Sequence, residues 1–162
     1  MYELVEILSE DRSIVPAEVN KIIDKFEEKM VEKFPVIKNY TIRHRFADGL
    51  YSREILMPAG SLITSKIHKK SHFFFVMSGV ASVWSDETGQ RLIEAPYSGT
   101  TPPGTRRILY IHKECIWGTV HATSVIPDGN SKEEILRCVE KVEAEIMEKH
   151  DNPLLTKKTE NQ

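Results

Sequence analysis

Three histidines carry the strongest chemical signal in this sequence. His68 and His72 fall within GSLITSKIHKKSHFFFVMSG (60–79), and His121 lies in IWGTVHAT (116–123). Imidazoles that meet around one open position suit Zn, Fe or another transition metal. Without a metal, the same rings could move protons or donate hydrogen bonds. Each could also be a hydrogen-bonded core or rim residue. Alternate residues of a strand share a face, so Leu62, Thr64, Lys66 and His68 look one way, as do Trp117, Thr119, His121 and Thr123. If both faces look into one interior, His72 enters it from the next strand, after a turn at Lys69-Lys70-Ser71. His44, His112 and His150 read as surface or loop histidines.

Cations accompany the cluster. Lys66 shares the face of His68. Arg106 and Arg107 are adjacent, so they must point to opposite sides of a strand, one into the cavity and one into solvent or a salt bridge. An interior arginine favours a carboxylate or phosphate, because its planar fork binds such groups through two parallel bonds. Glu54 and Glu94 offer acid–base chemistry if they face inward. Trp84, Tyr97, Tyr110 and Trp117 are either pocket walls or core. Nucleophile-elbow, Walker-type and dinucleotide-binding glycine patterns are absent from the sequence.

The elements that must position these groups are legible in outline. From Tyr40 to Val125 the chain reads as short β segments between turn signals at Ala47-Asp48-Gly49, Pro58-Ala59-Gly60, Ser78-Gly79, 86–89 and Pro102-Pro103-Gly104. No crossover helix interrupts them, so a sandwich or small barrel is expected and a parallel sheet is not. Before this zone, Val19, Ile22, Ile23, Phe26, Met30 and Phe34 recur at helical spacing over 16–34, with Pro16 in the first turn and Pro35 past the end. After it, Ser131 and Glu134 make a capping pattern. Ile135, Leu136, Val139, Val142 and Ile146 then give the apolar stripe of a helix over 131–150, with His150 suited to its C-terminal dipole. The tail from Asn152 is expected to fray.

The chain of 162 residues fits one domain, 1–162, with 40% apolar and 28% charged residues and a net charge of −2. That balance gives no basic field for nucleic acid. No apolar run has the length of a membrane span, and MYELVEILSEDR lacks the pattern of a secretory signal, so a cytoplasmic protein is expected. Cys115 and Cys138 are expected to be buried, reduced thiols.

Two separated motifs resemble those of the cupins. The family's first motif, G-x5-H-x-H-x3,4-E-x6-G, is matched in spacing by Gly60-x5-Lys66-x-His68-x3-His72-x6-Gly79. Its second, G-x5-P-x-G-x2-H-x3-N, is matched by Pro96-x5-Pro102-x-Gly104-x2-Arg107-x3-Ile111. The resemblance spans about Leu50 to Thr123 and is similar to compact bacterial or bacteriophage cupins. It implies an all-β core, a double-stranded β-helix or jelly-roll barrel of two antiparallel sheets over 40–125, flanked by the two helices, and a homodimer. Cupin metal sites use two histidines, a glutamate and a third histidine; the matching positions here are Lys66, His68, His72 and Arg107. Two cations replace ligands, and cations repel a metal ion unless an anion intervenes. The first expectation is therefore a metal-free cavity for a small anionic ligand, held by Lys66 and Arg107 and lined by Tyr110 and Trp117, with His68, His72 and His121 available for isomerase- or epimerase-type acid–base work. The second is a metal-dependent oxygenase or isomerase with Fe, Zn or Mn on His68, His72 and His121. The third is a non-catalytic scaffold.

Overall fold

The computed structural model describes residues 16–36 and 40–152. The N-terminal segment read for a leader lies outside the described residues, as does the tail expected to fray except for Asn152, which is buried and donates from Nδ2 to Asp24 O at 3.0 Å. The element order is α1 (Pro16–Lys33), β1 (Thr41–Ala47), β2 (Leu50–Met57), β3 (Leu62–Thr64), β4 (His72–Ser85), β5 (Gly89–Glu94), β6 (Tyr97–Thr101), β7 (Arg107–Ala122) and α2 (Lys132–Ile146). All strand pairs are antiparallel. An all-β core between two helices, as the cupin resemblance implies, is what the chain forms.

Two long strands organise the core. The C-terminal half of β7 pairs with β2, and the first half of β4 pairs with both β7 and β6. The N-terminal half of β7 pairs with β3, and the second half of β4 pairs with β5. One layer is thus β1-β2-β7-β4-β6 and the other β3-β7-β4-β5, with β4 and β7 running through both. Their inner faces meet in a core of Met57, Phe74, Val76, Ala81, Val83, Ile93, Leu109, Ile111, Cys115 and Trp117. Strands that each lend half their length to two layers curl the sheet into a barrel-like sandwich.

Ser78-Gly79, expected as a turn, lies inside β4, where the pairing with β7 slips in register. Gly79 has φ +90, and a Cβ there would overlap the Glu114 carbonyl oxygen. The glycine makes a bulge that bends the strand into the second layer instead of reversing it. The glycines matching the two motifs, Gly60, Gly79 and Gly104, all take positive φ.

Helix α1 lies on the outside of the second layer, with Val19 and Ile23 against Trp84 and Ile108. The stripe stops short of Phe34, which is 58% exposed beyond the helix end. Helix α2 starts as the capping pattern predicts, with Ser131 Oγ accepting from Glu134 N at 3.1 Å. It ends at Ile146, four residues earlier than expected, because the backbone of Met147 turns extended to pair with His68. Val139, Val142 and Ile146 pack on Tyr51 and Phe46. Both cysteines are free and buried. Among the described residues no helix is long and apolar enough to cross a membrane.

Candidate metal centre

Alternation places Tyr51, Arg53, Ile55 and Met57 of β2 on the inner face of the first layer. Beside them stand Trp117, Thr119 and His121 of β7, then His72, Phe74 and Val76 of β4. His121 is the cross-strand partner of Tyr51, and His72 that of Thr101. His68 arrives on the irregular segment after β3. That segment is tied to α2 by bonds from Lys69 N to Ile146 O (2.8 Å) and from Glu148 N to Ile67 O (2.9 Å). The three rings meet: centroids are 4.3 Å apart for His68–His72, 4.9 Å for His68–His121 and 4.4 Å for His72–His121. One ligand nitrogen from each lies within 4.8 Å of the other two. His72 and His121 are buried, at 6% and 5% exposure.

Burial is the main cause of the electrostatics here. It lowers the pKa of His121 to about 3, with His72, His68 and Arg53 adding repulsion. His68 is lowered to about 4 by burial first, then by His72, Arg53 and Arg107. His72 is lowered too, by burial first, against an opposing hydrogen bond to the Lys70 carbonyl, with Arg107 adding repulsion. All three are neutral at neutral pH, the form that ligates metals. Nδ1 of His72 faces Lys70 O at 3.4 Å. There a carbonyl two residues upstream engages one ring nitrogen and leaves the other for a metal, the support seen around ligating histidines. Thr101 Oγ1, across from His72, is buried without a hydrogen-bond partner. Neutral donors, carbonyl support and an orphaned hydroxyl oxygen fit a divalent transition metal with room for a further oxygen ligand.

The cations are placed differently from the sequence expectation. Lys66 is exposed, because β3 stops at Thr64 and the strand alternation that paired Lys66 with His68 lapses; Ile67 is buried instead. Tyr110 is on the outer face, edge-on to His112 at 4.9 Å, because Leu109 and Ile111 take the inward positions. Arg106, the neighbour expected in solvent or a salt bridge, is 5% exposed and bonds Asp24 and Glu27 of α1 at 2.7 Å each. Arg107 does turn inward, and its charge bears on His68 and His72. It lines a cavity of about 250 Å³ together with Phe74, Glu87, Arg91, Tyr97 and Trp117, and none of the three histidines lines it. Phe74 and Trp117 stack in its wall, with centroids 5.0 Å apart and planes 10° apart.

Glu54 is tied to Arg43 and Arg45 and Glu94 is exposed, so neither carboxylate reaches the histidines. Outside the cluster, His44 Nδ1 meets Tyr51 Oη at 2.7 Å and His112 meets Ser82 Oγ at 2.7 Å. His150, no longer in α2, reaches Asp24 at 2.9 Å. The sequence reading missed Arg53, the cation that bears on both His68 and His121. Its signal was present in YSREILM, where Tyr51, Ile55 and Met57 mark the inner face that Arg53 shares.

No family model matches the chain, and no curated protein matches it. Among solved structures, an RmlC-like cupin family protein with a double-stranded β-helix fold from Methanocaldococcus jannaschii is similar at TM-score 0.44 and 9% identity, over 56% of this chain and 86% of that one. A cupin-2 domain containing protein from Shewanella frigidimarina is similar at TM-score 0.43 and 12% identity, over 60% and 92%. KdgF from Halomonas sp. is similar at TM-score 0.46 and 11% identity, over 56% and 86%. At these values the likeness concerns the β core and says nothing of activity.

Proposed function

We propose that this is a metal-dependent cupin-like protein in which His68, His72 and His121 hold one divalent transition metal, Fe, Zn or Mn, and the barrel receives a small anionic molecule. The observation that carries the reading is the meeting of three imidazoles, two buried and one half-buried, with ligand nitrogens within 4.8 Å. Acid–base work by the free histidines is the weaker alternative. A general base serves best with a pKa near the working pH, and His68 and His121 sit at about 4 and about 3. When bound, the metal supplies a Lewis acid with an open position. The inward guanidinium of Arg107, which lines the cavity, favours an anionic partner. The cavity beside Arg107 supports ligand binding over a filled, inert scaffold. Oxygenase and isomerase chemistry both remain compatible with this donor set.

Metal analysis of tag-free protein reconstituted with Zn²⁺, Mn²⁺ or anaerobic Fe²⁺ tests the reading. One equivalent that survives desalting, and is lost in His68→Ala and in His121→Ala, is expected. Less than a tenth of an equivalent for every metal rejects it.

The expected homodimer has a candidate surface on the outer face of the first layer. Phe73, Phe75 and Met77 are 59%, 40% and 48% exposed on one strand. Side chains of this size bury roughly 150–250 Å² each, so the stripe offers on the order of 300 Å² toward the roughly 800 Å² per partner of a standard interface.

A further inference from the structure

The cavity beside Arg107 has the chemistry of a second, selective site. Resting on the reading that the barrel takes a small anion, we infer that this anion is a flat, ring-bearing monocarboxylate, bound apart from the histidine cluster. Three features point to that class.

The first is charge. Arg107 forms no ion pair among the described residues. Its guanidinium carbon lies over the Phe74 ring, 4.9 Å from the centroid. A half-buried guanidinium braced on an aromatic face keeps its fork of donors for a planar acceptor. Arg91 and Glu87 also line the cavity. Two arginines against one glutamate leave one positive charge, which a monoanion neutralises and a phosphate dianion overshoots.

The second is shape. Phe74 is stacked with Trp117 at 5.0 Å and with Tyr97 at 5.9 Å, and all three rings line the cavity. Phe74 reaches this place because its cross-strand partner is Gly99, where a Cβ would come within 2.8 Å of the ring. Aromatic walls reward a flat apolar body beside the charge.

The third is size. About 250 Å³ is enough for one six-membered ring with its carboxylate. None of the three histidines lines this space, so binding here needs no metal.

Benzoate, acetate and inorganic phosphate, titrated separately into metal-free protein by calorimetry and ¹H–¹⁵N NMR, test the inference. Saturable benzoate binding is expected, tighter than acetate or phosphate by at least about tenfold, weakened about tenfold or more in Arg107→Gln, and unchanged in His121→Ala. Arg107→Lys keeps the charge without the fork; it should fold as the wild type by circular dichroism and still bind more weakly. Acetate or phosphate binding as tightly as benzoate, with the same dependence on Arg107, overturns the ring-bearing class and leaves the anion reading standing. No saturable binding of any of the three by about 10 mM overturns both. Loss of benzoate binding in His121→Ala overturns the separation of the two sites.

Discussion

Acid should loosen this protein through its histidine cluster. In the unfolded chain each imidazole has a pKa near 6.5, whereas in the fold His121 lies at about 3 and His68 at about 4. As pH falls below about 6.5 the unfolded state takes up protons that the folded state refuses. Stability is therefore retained above that pH and is lost progressively toward the folded values. At about pH 4.5 each of the two rings is worth roughly 2–3 kcal/mol of lost stability. The rings repel one another, so part of each shift is shared, and the pair together is worth on the order of 3–5 kcal/mol. Carboxylates elsewhere also respond to acid, so the informative quantity is a difference. His121→Gln carries no charge at any of these pH values and removes one repulsive neighbour from His68. Urea melts of both proteins in EDTA, at about pH 7.5 and pH 4.5, give four stabilities. The wild type should lose at least about 2 kcal/mol more than the variant between the two pH values. Parallel losses, within about 0.5 kcal/mol, would show that His121 is not held neutral by burial and would refute the reasoning.

Other perturbations have equally definite outcomes. Arg106→Met leaves Asp24, which is 6% exposed, beside Glu27 with His150 in place of a guanidinium, and should cost about 3 kcal/mol in chemical denaturation, whereas a loss below about 1 kcal/mol would mean that α1 does not depend on this network. Gly79→Ala forces a positive φ and a clash with Glu114, so a fall of at least about 3 kcal/mol or failure to accumulate soluble protein is expected; wild-type stability would show that the β4 bulge can relax. Phe75→Glu should shift a dimer to monomer in sedimentation velocity at micromolar concentration without lowering thermal stability of the monomer, and an unchanged dimer would move the interface elsewhere.

The all-β core, both helices and the inward faces of His72 and His121 were readable because each depends on local periodicity and turn residues. Trp117 was readable for the same reason. Lys66 was misplaced because the period-two rule was carried past Thr64, where pairing ends and the segment is instead held by α2, far away in sequence. Ser78-Gly79 looked like a reversal because glycine marks both turns and bulges. Only the long pairing of β4 with β7 decides between them. Arg106 and Arg107 were correctly sent to opposite sides. The partners of Arg106 lie 79 and 82 residues away, on a helix whose docking no local pattern records. That Arg107 lines a cavity which the histidines do not follows from the pairing of β4 with β6 and β7, which no local pattern records.

X-ray absorption on protein reconstituted with one equivalent of Zn²⁺ tests the central claim most directly, because it counts imidazoles around the ion. The account predicts three histidine nitrogens at about 2.0–2.1 Å with imidazole outer-shell scattering, plus at least one oxygen ligand, and loss of one imidazole in His121→Ala. A shell with one imidazole or none, or a spectrum unchanged by that substitution, would contradict it.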